Sequence, residues 1–340
     1  MFVSFCLHLL LYFAMQVTIQ ASEANQRFDR FLRKYFKPNP DISLITIYAW
    51  IRTKKITVNW RKAKEEQRLH DGDVIQWADD LTPGKAFVGK QKKVASRSAQ
   101  QIEQLIIEET ENWIIRNKPP DMVTHPGPKG TTTTSLHDIM QTYLHQTKHQ
   151  NESPTFHPAF CFRLDKDTSG VIISAKTYAA LQHLNEKIRL REVSKTYMAI
   201  VLWAFPKSLT IEEPLFKGFN ATTGKAQMFV NHEKGVDSHT QARNEKTIRH
   251  PELGTISLVR IALHTGRMHQ IRVHLAHAWY PVLGDITYGN SALNRIAHKQ
   301  CNITRQLLHS LSYWFFDPFS DTQRVCHAPL PGDFDRLMNP

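Results

Sequence analysis

The stretch Phe162-Arg163-Leu164-Asp165-Lys166-Asp167-Thr168-Ser169-Gly170-Val171-Ile172-Ile173 decides how this chain is read. It places one carboxylate, Asp165, between an arginine and a turn-forming Thr-Ser-Gly, just before an apolar run. Thr-Ser-Gly followed by Val-Ile-Ile predicts a turn feeding a buried strand. An acid on such a loop is expected to be held rigidly in a cleft. A second dense stretch lies further on: Thr265-Gly266-Arg267-Met268-His269-Gln270-Ile271-Arg272-Val273-His274.

The chain has 340 residues, enough for a catalytic domain and one small module. Apolar and charged fractions of 41% and 22% are those of an ordinary globular protein, which excludes a disordered or low-complexity chain. The net charge of +12 favours a polyanionic partner, because neutralising phosphates supplies most non-specific nucleic-acid affinity. The bland alternative is a solvated basic surface. Cys6, Cys161, Cys301 and Cys326 form no CxxC pair and no zinc-like cluster, so they are read as reduced structural thiols and no metal is expected.

Residues 1–15 form an apolar leader, too short to cross a bilayer comfortably and without the basic start of a secretory signal. Translation is read as starting at Met15, giving a cytoplasmic protein with no membrane partner; an anchor or organelle presequence is the alternative. Residues 22–36 are predicted to be one helix, N-capped by Ser22, with Phe28, Phe31, Leu32, Tyr35 and Phe36 on one face, closed by Pro38 and Pro40. A second helix runs to Arg52-Thr53-Lys54-Lys55, followed by strands near 56–59 and 74–75. Residues 81–103 are polar and basic and read as a flexible linker. The remainder, 104–340, alternates short strands with turns. That fits an α+β fold: a mixed, largely antiparallel sheet flanked by helices.

The paired motifs Arg-Leu-Asp-x-x-Thr-Ser-Gly and Thr-Gly-Arg-x-His-Gln-Ile-Arg-Val-His resemble those of the RluA family of RNA pseudouridine synthases, most closely its RluC/RluD branch. Segments 117–127, 283–289, 307–315 and 328–334 resemble further family stretches. The helix, helix, strand, strand order of residues 16–80 resembles the small S4-type RNA-binding domain. The resemblance implies that uridines in structured RNA are isomerised to pseudouridine without a cofactor, large-subunit ribosomal RNA being expected over transfer RNA, by a monomer.

It also implies roles for residues. Asp165 matches the catalytic aspartate, which must be ionised to add to the sugar or to take a proton from it. Burial would raise its pKa, so a cation is needed, and Arg272 matches the family's arginine, expected here as a buried bidentate partner. Tyr197, in Lys195-Thr196-Tyr197, matches the active-site tyrosine that stacks on uracil, although a strand tyrosine is more often core. Arg163 matches the arginine that enters the RNA near the flipped nucleotide. Arg267 is a second-rank candidate for the site or for phosphate. Arg27, Arg30, Arg33, Arg52, Lys54 and Lys55 are phosphate candidates on the N-terminal module. The family's usual His before Arg-Leu-Asp is here Phe162, with activity expected to survive. His269, His274 and His277 are read as structural. Two other classes remain: an RNA-binding protein without catalysis, which the intact Asp165, Tyr197 and Arg272 oppose, and a glycoside hydrolase, for which Asp167 has no evident partner role.

Overall fold

The computed structural model describes residues 15–37, 42–77, 81, 103–127, 134–146, 155–222, 224 and 226–340. The leader, nearly all of the stretch read as a linker, and Pro38 and Pro40 lie outside these residues.

The N-terminal body is built on a three-stranded antiparallel sheet of order β1-β3-β2, from β1 (Met15–Thr18), β2 (Ile56–Val58) and β3 (Val74–Trp77). Helices α1 (Phe28–Tyr35) and α2 (Leu44–Arg52) cover it. Phe28, Phe31, Leu32 and Phe36 recur at helical spacing and bury against Ile47, Ile51, Ile75 and Trp77. Ser43 caps α2 by accepting the Thr46 N–H at 3.1 Å. The single helix expected over 22–36 is instead a short turn, Ala21–Glu23, then α1. Asn25 takes a left-handed φ of 69° between them. The amides of Asn25 and Phe28 are donated across the body to Leu69 O and Gln67 O, so tertiary bonding displaces the helical ladder there.

Among the described residues, ten strands form one sheet. Its spine runs β4 (Ile106–Glu109), β5 (Trp113–Lys118), β7 (Ser169–Ala175), β14 (Leu308–Asp317), β8 (Ser194–Leu202), β13 (Gly254–Leu263), β12 (Thr240–His250), β9 (Ser208–Ile211). Strand β6 (Ala159–Phe160) pairs with β7, and β15 (Thr322–His327) with β14. Only β7 and β14 are parallel; every other pairing is antiparallel, giving the mixed, largely antiparallel α+β fold. A separate hairpin joins β10 (Leu215–Phe219) to β11 (Ala226–Val230).

All seven residues of β7 are buried because both faces of the sheet are covered. On one face Ile172, Tyr197 and Ile261 pack with α3 (Leu136–Gln146) and α5 (Gln270–His277). On the other, Val171 and Ile173 meet α4 (Tyr178–Arg189), and Ile200 meets α6 (Ser291–Cys301) and α7 (Gly332–Met338). The two bodies touch through a buried polar chain. Gln26 Nε2 donates to Thr155 Oγ1 at 3.1 Å, Thr155 Oγ1 to Glu23 Oε1 at 2.7 Å, and Lys34 Nζ to Gln26 Oε1 at 2.7 Å.

Candidate active site

Asp165 sits on the loop between β6 and β7, at the middle of the sheet. Main-chain bonds set its geometry. Thr168 N–H closes a turn onto Asp165 O at 3.1 Å, and Thr124 Oγ1 bonds Leu164 O at 3.0 Å. Two buried cations then grip the loop from below. Lys118 Nζ donates to Lys166 O at 2.8 Å, Met122 O at 2.8 Å and Pro119 O at 2.9 Å, using all three ammonium donors. Burial pulls its pKa down to about 7. Arg305 reaches Asp167 O while held bidentately by Asp333. The loop then enters β7 through Gly170, at φ 109°. A Cβ there would lie 2.1 Å from Ser310 O on the parallel neighbour β14, so only glycine lets the two backbones meet.

Arg272 projects from the first turn of α5 towards this loop. Its Nη1 donates to Asp165 Oδ2 at 2.9 Å, while Nε and Nη2 form a bidentate pair with Asp285 at 2.7 and 2.9 Å. Asp285 Oδ1 also accepts the amides of Thr287 and Tyr288, which ties the guanidinium to a rigid turn. Arg272 and Asp285 are buried, with side chains 6% and 1% exposed, whereas Asp165 is 27% exposed. Asp285 hydrogen bonding opposes the burial of Arg272, and its pKa is raised. Among the described residues, Asp165 Oδ1 has no hydrogen-bond partner. The arrangement is a buried cation between two carboxylates, one sealed and one open to a reacting group.

The turn before α5 is organised by the buried Gln270. Its Oε1 accepts from Thr265 Oγ1 at 2.8 Å and Arg267 N at 3.0 Å, and its Nε2 donates to His239 O and Thr240 Oγ1. This presents His269 beside Asp165, with Nε2 3.9 Å from Oδ2, the oxygen that Arg272 also holds. Tyr197 on β8 pairs with Ser310 and Ile261 and packs beside Leu164 and Leu308. Burial pushes its phenol up to about 12, so it is neutral at ordinary pH.

The family model described as RNA pseudouridylate synthase matches residues 112–277, a span that holds both Asp165 and Arg272. The chain is 30% identical over 335 residues to the ribosomal large subunit pseudouridine synthase D of Escherichia coli (strain K12), covering 95% of this chain and 93% of that protein. The chain belongs to the RluA family of RNA pseudouridine synthases. As an RluA-family protein it is an isomerase of RNA. A second relative, the ribosomal large subunit pseudouridine synthase C of Buchnera aphidicola, is 30% identical over 95% of this chain and 96% of its own. Two solved structures share the fold. Human RNA Pseudouridylate Synthase Domain Containing 1 has a TM-score of 0.51 at 23% identity, over 66% of this chain and 82% of its own. Human RNA Pseudouridylate Synthase Domain Containing 4 has 0.54 at 21%, over 70% and 95%.

Within this candidate site, Asp165, Tyr197 and Arg272 converge on the centre of the sheet. Two expectations need correction. Asp165 is only partly buried, and the bidentate partner of Arg272 is Asp285, not Asp165. Arg163 is exposed at the mouth, and Arg267 is exposed on the adjoining turn. Arg27, Arg30, Arg33, Arg52, Lys54 and Lys55 lie on the N-terminal body, where Arg30, Arg33, Arg52, Lys54 and Lys55 are exposed and Arg27 is bound to Asp29 at 2.8 Å. Phe162 stacks on the buried Tyr313, with centroids 4.8 Å apart and planes 9° apart, so this departure is absorbed by the core. His274, read as structural, is: it bonds Thr240 Oγ1 and Glu213 O. Sequence reasoning missed Asp285, Lys118, Arg305 and the proximity of His269. Asp285 and Lys118 fall in stretches read only as further resemblances to the family, and Arg305 carries no local signal.

Proposed function

We propose that this chain converts uridine to pseudouridine in structured large-subunit ribosomal RNA, with Asp165 as the catalytic carboxylate and no cofactor. The observation that carries the reading is the Asp165–Arg272–Asp285 array. It supplies what the reaction needs: a carboxylate fixed by a guanidinium, with one oxygen left free. Isomerisation breaks the C1′–N1 bond, turns the base, joins C1′ to C5 and releases the C5 hydrogen. Either route, addition of Asp165 to the sugar or removal of a sugar proton by it, uses the anionic form of the carboxylate. Tyr197 supplies a ring against the uracil and a neutral hydroxyl. Arg163 fills the gap left when the nucleotide leaves the stack, an excursion that costs a few kcal/mol.

The ribosomal substrate is supported by the names of the relatives and by the basic excess of +12. The N-terminal body acts as an S4-type RNA-binding module. Arg27, Arg30 and Arg33 line a notch with Leu44 and Tyr48, and Arg52, Lys54 and Lys55 extend the charge for phosphate contacts. The test is carbodiimide mapping of pseudouridine on ribosomal RNA from cells with the wild-type protein, without it, and with Asp165→Ala. Stops that vanish in both deficient strains support the proposal and name the uridines. Stops that persist without the protein overturn the ribosomal assignment.

A further inference from the structure

We infer that His269 is a positioned hydrogen-bond donor to the target nucleotide, locked by the Tyr288 hydroxyl with its proton on Nε2. The inference rests on the reading of the Asp165 cleft as the place where uridine reacts. Three features of the turn carry it. His269 has a left-handed backbone, φ 55° and ψ 16°, at the position preceding α5. A side chain with a Cβ is strained in that conformation, and such strain collects at functional sites.

The tautomer follows from counting protons. Tyr288 Oη accepts the Met228 N–H at 3.0 Å and lies 2.9 Å from His269 Nδ1. The hydroxyl proton has no other acceptor among the described residues, so it is placed on the line to Nδ1, and the tautomer this selects turns an N–H rather than a lone pair towards the Asp165 carboxylate. A neutral imidazole then carries its hydrogen on Nε2. Burial lowers the His269 pKa, with Asp165 and Asp285 opposing and Arg272 reinforcing, so the neutral ring prevails near pH 7. Tyr288 is itself fenced by the Arg272 guanidinium, 5.2 Å from its ring centre.

The third feature is the unused donor. Nε2 lies 3.9 Å from Asp165 Oδ2, beyond hydrogen-bond range, and has no other partner among the described residues. The side chain is 21% exposed. A carboxylate that engages the sugar beside the glycosidic bond brings the uracil O2, the base oxygen next to that bond, to the same side. When the bond to N1 breaks, the base leaves as an anion with charge on O2. A fixed N–H there stabilises the developing charge without protonating Asp165.

The experiment combines nitrogen-15 NMR of histidine-labelled protein with kinetics on ribosomal RNA fragments. The His269 signal, identified by its loss in His269→Gln, is expected in the Nε2–H pattern at pH 7.5, and as a mixture of tautomers in Tyr288→Phe. His269→Ala is expected to lower kcat by about 10²-fold, the usual loss for one such donor, with KM nearly unchanged. His269→Gln, which keeps an N–H, should recover part of it. An Nδ1–H tautomer in the wild type, or an alanine variant with full kcat, overturns the inference. Should His269→Ala not fold, Tyr288→Phe decides through its tautomer and kcat. Full activity of Asp165→Asn would instead sink the underlying reading of the cleft, and the tautomer measurement stands apart from it.

Discussion

Asp285→Asn separates the anchor of Arg272 from Asp165, the other carboxylate that this arginine holds. The substitution keeps shape and keeps Oδ1, which accepts Arg272 Nη2 at 2.9 Å, Thr287 N at 2.8 Å and Tyr288 N at 3.1 Å. What it replaces is Oδ2, the acceptor of Arg272 Nε at 2.7 Å, with an amide that is itself a donor. Two donors then face each other in a site where the arginine side chain is 6% exposed. Losing one charge-assisted bond costs about 1.5–3 kcal/mol, and the stranded donor adds about 1–3 kcal/mol. Breaking one side of a buried ion pair costs about 3–5 kcal/mol in general, and about 3 kcal/mol is expected here because Asp165 remains as counter-charge. The freed guanidinium turns towards Asp165 and draws it from its working position. A displacement near 1 Å costs about 10²-fold in rate. Urea unfolding and single-turnover conversion of an RNA fragment measure the two effects, with RNA affinity expected within about twofold because no phosphate contact is touched. Wild-type stability and wild-type rate together in Asp285→Asn would refute the reasoning.

Gly170→Ala should fail to accumulate as folded protein, since its Cβ would meet Ser310 O at 2.1 Å, whereas Gly72→Ala, with φ 81° and nothing within 4 Å, should cost only about 1–2 kcal/mol; thermal melts of the pair check this, and equal melts would contradict it. Lys118→Met strips the carbonyls of Pro119 and Met122 of their donor and leaves Lys166 O with only the Met122 N–H, and is expected to speed amide exchange at 164–168 and to slow catalysis at least tenfold, with the N-terminal body unaffected. Burial holds His309 down at about 4, with Nε2 bonded to Ala328 O and Nδ1 to Ser169 Oγ. The unfolded chain thus binds a proton first as pH falls below about 6.5, and stability should decline from there to about 4 by up to about 3 kcal/mol. Urea midpoints against pH measure it, and His309→Gln should flatten the slope.

Much of this was legible because local and global signals agree. Val171-Ile172-Ile173 has no polar alternation, and the strand is covered on both faces. Asp165 and Arg272, far apart in sequence, were paired through the two motifs, and they meet at 2.9 Å. The failures have physical causes. The helix expected from Ser22 is broken because Asn25 and Phe28 give their amides to residues that no local pattern reveals. The second carboxylate on Arg272 was hidden because segment 283–289 showed only as a family resemblance, whereas in the fold Asp285 both pairs with Arg272 and accepts the amides of the following turn. His269 read as one of three similar histidines; its left-handed backbone and its tyrosine partner exist only in the fold.

The central claim is that Asp165 performs the isomerisation. Forming the bond from C1′ to C5 expels the hydrogen on C5, so ribosomal RNA carrying tritium at that carbon reports each turnover as tritium in water. Wild-type protein should release it, while Asp165→Asn, with RNA affinity within about twofold because a neutral side chain of equal shape touches no phosphate, should release none above background. Release by Asp165→Asn at the wild-type rate would contradict the account.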